Sequence, residues 1–456
     1  MNRDYTVAKG EIMAPKVPKI SKEFPGPKAK EIIERDTKYL VTSTKTAPIV
    51  AKRAKGALIE DVDGNIIIDL FSGVGVQNVG HCHPEVVKAI KDQVDRFIHM
   101  AGTDFYYDVQ VRLAEKLATS APGRMARKVF FTNSGTESVE AAIKVAKAYT
   151  KRQTFIGFIG GFHGRTMGSL SVTASKPVHR EGFFPFMPGV YHLPYAYCYR
   201  CRYKLEYPSC GLWCAKILEE VYFDSFVPPT DVAAVIAEPV QGEGGYIVPP
   251  KEFLPLIKRI AEKHGILYID DEVQAGMGRT GKLWAIEHFN VIPDVIATAK
   301  ALGGGMPIGA TIIDAKLDFD RPGRHSNTFG GNAVAAAAAL AVFRIIEKEK
   351  LLQRAQRLGK KSMKRLKEME EKYEIIGDTR GLGLMLAHEF VKDKRTRSAN
   401  KEARDRVIEL ALKNGLGLLG CGKSSIRYLP PLVIEEDILD IAWDILEKSI
   451  RTVSKG

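Results

Sequence analysis

Residues 266–274 read ILYIDDEVQ, and residues 295–305 read VIATAKALGGG. Each segment begins with a short apolar run, and charged residues follow that run. They are the acids around Asp271 in the first segment and Lys300 in the second. Short continuous apolar runs are typical of strands that are buried on both faces of a parallel sheet. Because ligands of such sheets bind at the carboxyl ends of the strands, the two segments predict an α/β fold with Asp271 and Lys300 at one edge.

Lys300 follows its apolar run directly and precedes three glycines. A lysine rarely occupies such a place for structural reasons, because burial of an ammonium group is costly. A desolvated lysine with a lowered pKa is the residue that Schiff-base chemistry uses. We therefore interpret Lys300 as a Schiff-base lysine, whereas an isolated aspartate at a strand end is more often a cap or loop residue.

Apolar runs alternate with amphipathic helices through the middle of the chain, and after about residue 345 the pattern changes to long charged helices with a few short strands. We expect an N-terminal arm and part of a small domain over 1–75, a large domain over 76–345, and a C-terminal α+β small domain over 346–456. Asp63-Gly64 predicts a hairpin turn. The predicted strands of the large domain are 128–132, 154–159, 233–237, 266–269, 295–299 and 310–313. Its predicted helices are 137–149, 251–263 and 333–347.

The composition is that of an ordinary globular protein, with 456 residues, 45% hydrophobic and 27% charged, and a net charge of +13. The densest basic run, 348–372, alternates with Glu and Leu at helical spacing and predicts a solvated helix. No aromatic-basic interleaving or recognition-helix motif is present, so we expect no nucleic-acid partner. The longest apolar run, 333–343, is shorter than the ~20 residues of a bilayer span. We expect a cytoplasmic protein without membrane contact, and the abundant Lys and Glu fit a thermophile.

The segment SGTE at 134–137 follows a predicted strand and opens a helix. Its hydroxyls, its backbone N–H groups and the positive end of the helix dipole are suited to a phosphate group. The same residues also make a simple helix N-cap, which is the commoner role of Ser-Gly-Thr at such a position.

The sequence resembles the class-III aminotransferases, which are pyridoxal-phosphate (PLP) enzymes of fold type I that include 4-aminobutyrate and ornithine aminotransferases. The resemblance runs from about Leu58 to Leu432 and suggests a thermophilic archaeal source. The motifs that carry it are GHCHP at 80–84, SGTE at 134–137, FHGRT at 162–166, EPVQGE at 238–243, DEVQ at 271–274, GRTG at 278–281 and Lys300.

The resemblance implies a large domain with a mostly parallel seven-stranded sheet between helices, plus a smaller α+β domain. Lys300 would hold PLP as a Schiff base and later move the proton, and Asp271 would keep the pyridine nitrogen cationic so that the ring takes up electrons. Thr328 matches a threonine that reaches the phosphate of the neighbouring subunit, which implies a homodimer. The other implied cofactor contacts are Ser134, Gly135 and Thr136 at the phosphate, Phe162 on the ring face, His163 beside the ring, Glu238, and Gln274 at the ring 3-oxygen.

The same resemblance implies which residues bind the substrate. Arg427 matches the arginine that binds the α-carboxylate of glutamate or 2-oxoglutarate, for which its planar fork is suited; without the family, a surface arginine on a strand is the simpler interpretation. Glu243 matches the glutamate that pairs with this arginine when no α-carboxylate is present. The pair favours an ω-aminotransferase.

The amino donor is interpreted from HMAGTDFYY at 99–107, where the family lines its substrate entrance. Thr103 and Asp104 are the polar residues there, and a carboxylate suits the second ammonium of a diamino acid. The best hypothesis is ornithine as donor and 2-oxoglutarate as acceptor. The alternatives are that Asp104 caps the helix starting near Asp108, and that the enzyme is a 4-aminobutyrate aminotransferase or an amino-acid racemase on the same scaffold.

Four of the six cysteines lie in an insert at about 195–216 that the common family pattern lacks. Their spacing, C-x2-C followed by C-x3-C, leaves three interpretations open. The thiols bind zinc or an iron–sulfur cluster, form two disulfides as in some hyperthermophile proteins, or stay free. These cysteines are Cys198, Cys201, Cys210 and Cys214.

Overall fold

The structure is a computed structural model that describes residues 17–455. The strands are β1 Ala51–Lys55, β2 Leu58–Asp61, β3 Ile66–Asp69, β4 Arg127–Thr132, β5 Thr154–Ile159, β6 Val190–Pro194, β7 Val232–Ala237, β8 Leu267–Asp271, β9 Val295–Thr298, β10 Gly309–Asp314, β11 Ile376–Leu382, β12 Met385–Asp393, β13 Ser398–Ala399, β14 Leu416–Gly417, β15 Leu419–Cys421 and β16 Ser425–Tyr428. The α-helices are α1 Pro27–Tyr39, α2 Ser72–Gly75, α3 Pro84–Val94, α4 Asp108–Ser120, α5 Gly135–Thr150, α6 Met167–Val172, α7 Trp213–Ile217, α8 Phe253–Lys263, α9 Ala333–Lys348, α10 Leu351–Lys372, α11 Lys401–Lys413 and α12 Glu436–Ser454.

The central sheet has seven strands in the order β4-β10-β9-β8-β7-β5-β6. Every neighbouring pair from β9 to β6 is parallel, and β10 runs antiparallel to both of its neighbours. Strands β7, β8 and β9 are buried at every position, which explains their continuous apolar sequences. The predicted α/β fold with a mostly parallel seven-stranded sheet is confirmed.

Sequence reasoning missed strand β6 among the seven. It lies at the edge of the sheet, pairs only with β5, and is mostly half-buried. Its sequence VYHLP therefore carries a histidine and a proline, which are tolerated at an edge and break the apolar pattern.

Two smaller sheets complete the fold. One has the order β1-β2-β3-β14, and the other β11-β12-β16-β15, with β13 paired to β12. The predicted hairpin is formed by β2 and β3, and Gly64 adopts φ +86° in its turn. Strand β14 pairs with β3 in parallel, so the N-terminal hairpin shares a sheet with the C-terminal part of the chain. The domain bounds at 75 and 345 stay predictions, and positions 1–16 of the expected arm lie outside the described residues.

A fully buried arginine joins the loop after β8 to the C-terminal sheet. Arg279 donates hydrogen bonds to the carbonyl oxygens of Leu384 (3.1 Å) and Pro430 (2.6 Å) and to Asn78 Oδ1 (2.5 Å). Burial lowers its pKa to about 10, so it remains a cation at neutral pH. These bonds fix the end of β16 relative to the end of β8. Between residues 17 and 455, no helix has the length and apolar character needed to cross a bilayer.

The backbones of α10 and the β11–β12 turn approach each other closely at two glycines. A Cβ added to Gly359 would lie 2.2 Å from the carbonyl oxygen of Gly383. Alanine normally stabilises a helix interior by about 1 kcal/mol relative to glycine. At this position we expect the opposite sign, and Gly359→Ala should lower the free energy of unfolding by ~1–3 kcal/mol because the backbones must separate.

Urea unfolding curves followed by circular dichroism measure this difference. Lys360→Ala is the matched control, since Lys360 is exposed on the same helix, and its effect should stay within about 0.5 kcal/mol. Equal or higher stability of Gly359→Ala would contradict the close approach.

Candidate active site

The carboxyl end of β8 places Asp271 in the interior, where it is 3% exposed. His163 Nδ1 donates to Asp271 Oδ2 at 2.7 Å, and the Val273 N–H donates to Oδ1 at 3.0 Å. Burial alone would lower the pKa of His163, but the hydrogen bond and charge of Asp271 raise it above its ordinary value. The carboxylate is therefore held in place by two donors.

The two acids beside Asp271 differ from it in their surroundings. Burial raises the pKa of Glu272 to about 8, and burial together with the neighbouring carboxyl groups raises the pKa of Asp270 well above its ordinary value. Neither carboxyl oxygen of Asp270 has a hydrogen-bond partner within residues 17–455. Alternate side chains of a strand point to opposite faces of the sheet, so Asp270 and Glu272 point away from the face on which the Asp271 carboxylate lies.

Lys300 follows β9 and begins a short 3-10 turn. Its backbone adopts φ +45°, a left-handed conformation that costs a non-glycine residue roughly 1–3 kcal/mol and recurs at functional sites. Burial lowers the pKa of its amine, and the nearby charges of Asp271 and Glu238 oppose that effect only in part. The side chain therefore lies within electrostatic reach of Asp271, at the ends of neighbouring strands.

Helix α5 begins at the predicted phosphate-binding segment, whose role at a phosphate stays a prediction. Ser134 is its N-cap and accepts a hydrogen bond from the Glu137 N–H at 3.4 Å. The N–H groups of Gly135 and Thr136 belong to the first turn, which has no acceptor for them within the helix. A Cβ at Gly135 would lie 2.7 Å from Val273 Cγ1, so only glycine fits. The cap and the anion site are therefore compatible.

Glu238 fastens two loops around the site. Its carboxylate accepts the backbone N–H of Phe162 at 2.9 Å and that of Gly242 at 2.8 Å. Burial raises its pKa to about 7, and its charge also acts on Lys300. Tyr246 OH donates to Gln274 Oε1 at 2.9 Å. The structure thus gives Glu238 a positioning contact with Phe162, whereas its role as a cofactor ligand stays a prediction.

A second group of charges lies where β16 meets the loop after β7. Glu243 Oε2 lies 3.2 Å from Arg427 Nη1, and Lys176 Nζ donates to Glu243 Oε1 at 2.5 Å. Burial would raise the pKa of Glu243, but the two cations outweigh it and lower the pKa below its ordinary value. Arg427 is 7% exposed, and its Nε and Nη1 have no hydrogen-bond acceptor within residues 17–455. Arg427 is therefore not a surface residue, and it presents unused donors.

Three predicted site residues lie apart from this cluster within the chain. Thr103 Oγ1 donates to Asp104 Oδ2 at 3.0 Å on an exposed turn, and Thr328 is exposed on the loop before α9. The alternative that Asp104 caps the following helix is wrong, because the N-cap of α4 is Tyr107 and no side chain caps it. A role for these three residues at the active site stays a prediction.

The metal hypothesis for the cysteine insert is not supported. Residues 17–455 contain no group of three or more His, Cys, Asp or Glu side chains arranged to hold a metal ion, and all six cysteines are free, so the disulfides are absent as well. Burial, and after it the neighbouring thiols of Cys198, Cys210 and Cys201, raise the pKa of Cys214 to about 12. The insert instead contacts the small sheet: Arg200 pairs with Glu389, and Arg397 donates to the Tyr199 carbonyl at 2.6 Å.

Sequence reasoning missed three charged or titratable residues near the site. Lys176 contacts Glu243, the guanidinium of Arg165 lies 5.9 Å from the Phe162 ring, and His179 lies 5.6 Å from the same ring. Burial and the Arg165 charge lower the pKa of His179, so its ring is neutral at pH 7. Arg165 stood inside a recognised motif, whereas the loop at 173–181 carries no pattern that marks Lys176 or His179.

A lysine and a buried carboxylate at the strand ends of a mostly parallel sheet, beside a helix N-terminus, define a fold-type-I PLP enzyme. The family model of class-III aminotransferases matches residues 39–450, and the chain belongs to this family. Membership supports PLP as the cofactor, with amino acids and 2-oxo acids as the typical substrates.

Relatives within the family differ in reaction. The chain is 42% identical to a leucine/methionine racemase of Thermococcus litoralis, over 93% of this chain and 96% of the relative. It is 41% identical to a probable 4-aminobutyrate aminotransferase of Bacillus subtilis (88% and 93%) and 41% identical to an acetylornithine aminotransferase of Methanopyrus kandleri (93% and 99%). The solved ornithine aminotransferase of Toxoplasma gondii superposes with a TM-score of 0.81 and 29% identity, covering 94% of this chain and 96% of that one.

The residues present fit PLP. Lys300 offers an amine of lowered pKa, Asp271 a fixed negative charge, and the first turn of α5 an anion site. His163 Nε2 is buried without a hydrogen-bond partner in the described part of the chain, which leaves a donor or acceptor for a bound group. The cleft therefore has unused polar groups where a ring and a phosphate are expected.

The lowered pKa of Lys300 predicts the pH dependence of cofactor capture. Only the neutral amine attacks an aldehyde, so the capture rate should rise with pH and reach half its maximum below 10.5, the ordinary pKa of lysine. Because the Asp271 charge raises the pKa of Lys300, Asp271→Asn should move this midpoint to lower pH. The measurement is the initial rate of PLP incorporation into apoenzyme, followed by absorbance, with Lys300→Arg as the blank. A midpoint at or above 10.5 would contradict the inferred burial.

Proposed function

We propose that this enzyme is an ω-aminotransferase that moves the terminal amino group of a diamino acid, ornithine as the first choice, to 2-oxoglutarate. The observation that carries the proposal is the Glu243–Arg427 ion pair. When the carbon that bears the terminal amino group of the donor enters the site, the donor has no carboxylate next to that carbon to bind Arg427. Glu243 then neutralises the buried guanidinium. A 2-oxo acid brings an α-carboxylate, which replaces Glu243. One arginine thus serves both substrates.

The residues of the chain have separate tasks in this reaction. Bound PLP supplies an aldehyde that links to amines and a ring that takes up electron density. Lys300 removes the proton from the carbon that bears the amine and returns it to another carbon. Asp271 would hold its negative charge against the ring nitrogen of bound PLP, with His163 orienting Asp271 and Glu238 holding the Phe162 loop in the position where it would meet the ring.

A homodimer is part of the proposal. Thr328 and Asp104 lie on one face, because the turn before α4 packs on the loop before α9: Tyr107 OH donates to the Gly331 carbonyl at 2.7 Å, and the His99 and Phe329 rings lie 4.9 Å apart. Large apolar side chains are exposed around them, which is typical of an interface. They are Ile98, Met100, Phe105, Tyr106 and Phe329. Across such an interface, Thr328 and Asp104 would reach the partner's site.

Racemisation is the second candidate, and it is supported by the 42% identical racemase. The reaction begins with the same proton removal and differs in its return, which is to the opposite face of the same carbon. A second proton carrier is then needed on that face, and the buried His179 near Phe162 suits this task. Its neutral ring takes the proton of one enantiomer while the Lys300 ammonium returns a proton to the other face, and the reverse direction exchanges the two roles.

A panel of amino donors distinguishes the two reactions. With 2-oxoglutarate, ornithine should give the highest kcat/KM for glutamate formation, ahead of 4-aminobutyrate and of α-amino acids. In parallel, single enantiomers of leucine, methionine, alanine and ornithine are incubated without any 2-oxo acid, and their optical rotation is followed. Loss of rotation faster than glutamate formation, and abolished in His179→Phe, would replace the aminotransferase proposal by the racemase.

The role of Asp104 is tested by Asp104→Ala. If its carboxylate binds the second ammonium of ornithine in the partner's site, KM for ornithine should rise about tenfold, the effect of one lost charged hydrogen bond, while KM for 2-oxoglutarate stays unchanged. Asp108→Ala is the matched control, because Asp108 is also exposed and its ion pair among residues 17–455 is with Arg112 of its own helix. An unchanged KM for ornithine would remove the ornithine-specific part of the proposal.

A further inference from the structure

Glu243 has two cationic partners rather than one, and the second has no role in the reaction described so far. Lys176 Nζ lies 2.5 Å from Glu243 Oε1, whereas Arg427 Nη1 lies 3.2 Å from Oε2 in a geometry that makes no hydrogen bond. The carboxylate is thus bonded to Lys176 and only paired by charge with Arg427. The guanidinium keeps Nε and Nη1 free of hydrogen-bond acceptors in the described residues.

The two cations also differ in their surroundings. Arg427 is 7% exposed, on the buried strand β16. The Lys176 side chain is 34% exposed and lines a cavity of about 1000 Å³ that opens beside Gln241 and Gly244. Solvent can therefore compensate the positive charge of Lys176, whereas the charge of Arg427 must be compensated by a carboxylate of the protein or the substrate.

We infer that Lys176 is the positioning residue that receives Glu243 whenever a substrate α-carboxylate takes Arg427. This inference rests on the proposed function, because it concerns the alternation of the two substrates at Arg427. A carboxylate that left Arg427 without another partner would be buried and uncompensated, at a high cost. With Lys176 in contact already, Glu243 loses one cation and keeps the other. Lys176 thereby lowers the cost of binding the 2-oxo acid and leaves the ω-amine complex, in which Glu243 covers Arg427, largely unaffected.

The wall of the cavity supports this direction of movement. Seven basic side chains line it against two acidic ones, Glu181 and Glu389, so a carboxylate that leans away from Arg427 moves toward positive potential. The neutral ring of His179, which senses the charges of both Glu243 and Lys176, adds no competing charge. The other basic residues of the wall are Arg180, Arg200, Arg202, Lys401, Arg404 and Lys423.

The test is a binding measurement on the holoenzyme with 2-oxoglutarate and no amino donor, by isothermal titration calorimetry, so that no turnover occurs. Lys176→Met should weaken 2-oxoglutarate binding about tenfold, as expected for loss of a charged hydrogen bond. In the same Lys176→Met variant, the apparent Kd for ornithine, measured by single-turnover kinetics, should change less than twofold. Lys176→Arg should restore 2-oxoglutarate binding. Lys423→Met is the matched control, since it removes a cation from the same cavity without a contact to Glu243.

A double mutant separates this role from a general loss of charge. In a Glu243→Ala background there is no carboxylate to receive, so adding Lys176→Met should leave 2-oxoglutarate binding unchanged. Equal weakening with and without Glu243, or equal effects on both substrates, would overturn the inference while leaving the aminotransferase intact. Failure of the wild-type enzyme to bind 2-oxoglutarate or to transaminate would instead overturn the proposed function itself.

Discussion

The buried negative charge of Asp271 is the constraint on which the site depends. A carboxylate that is 3% exposed needs donors, and it obtains them from His163 and from the Val273 backbone. Its charge then raises the pKa of His163 and opposes the lowering of the Lys300 pKa by burial. The strained backbone of Lys300 and the loop that carries Phe162 are arranged around this one fixed charge.

The site contains two charge clusters that differ in rigidity. At the inner one, Asp271 accepts one hydrogen bond on each carboxylate oxygen, from His163 and from the Val273 backbone, and both donors hold it in place. At the outer one, Glu243 lies between Lys176 and Arg427, and Arg427 has unused donors. A fixed charge suits a task that is the same for every substrate, such as holding a ring nitrogen. A carboxylate with two partners suits a task that alternates between substrates.

The sequence predicted the inner cluster better than the outer one for a physical reason. Asp271 and Lys300 end consecutive buried strands, and the topology of a parallel sheet brings strand ends together. Lys176 and Glu243 are 67 residues apart on loops, so no periodicity predicts their contact. The edge strand β6 was not predicted because most of its residues are half-buried, and half-buried positions tolerate polar residues that break an apolar pattern. The cysteine spacing suggested a metal, but spacing does not give the positions of the thiols in the fold, and residues 17–455 contain no group of side chains arranged to hold a metal ion.

The outer cluster also depends on how the small sheet is attached to the large one. Arg380 donates to the Gly245 carbonyl from Nε (3.1 Å) and Nη2 (2.6 Å), two residues after Glu243. Its Nη1 pairs with Glu389 at 2.8 Å, and Glu389 is also the partner of Arg200 in the cysteine insert. The insert is thus connected through two ion pairs to the loop that carries Glu243. The position of the Glu243 loop is therefore coupled to that of the insert through strands β11 and β12, which carry Arg380 and Glu389.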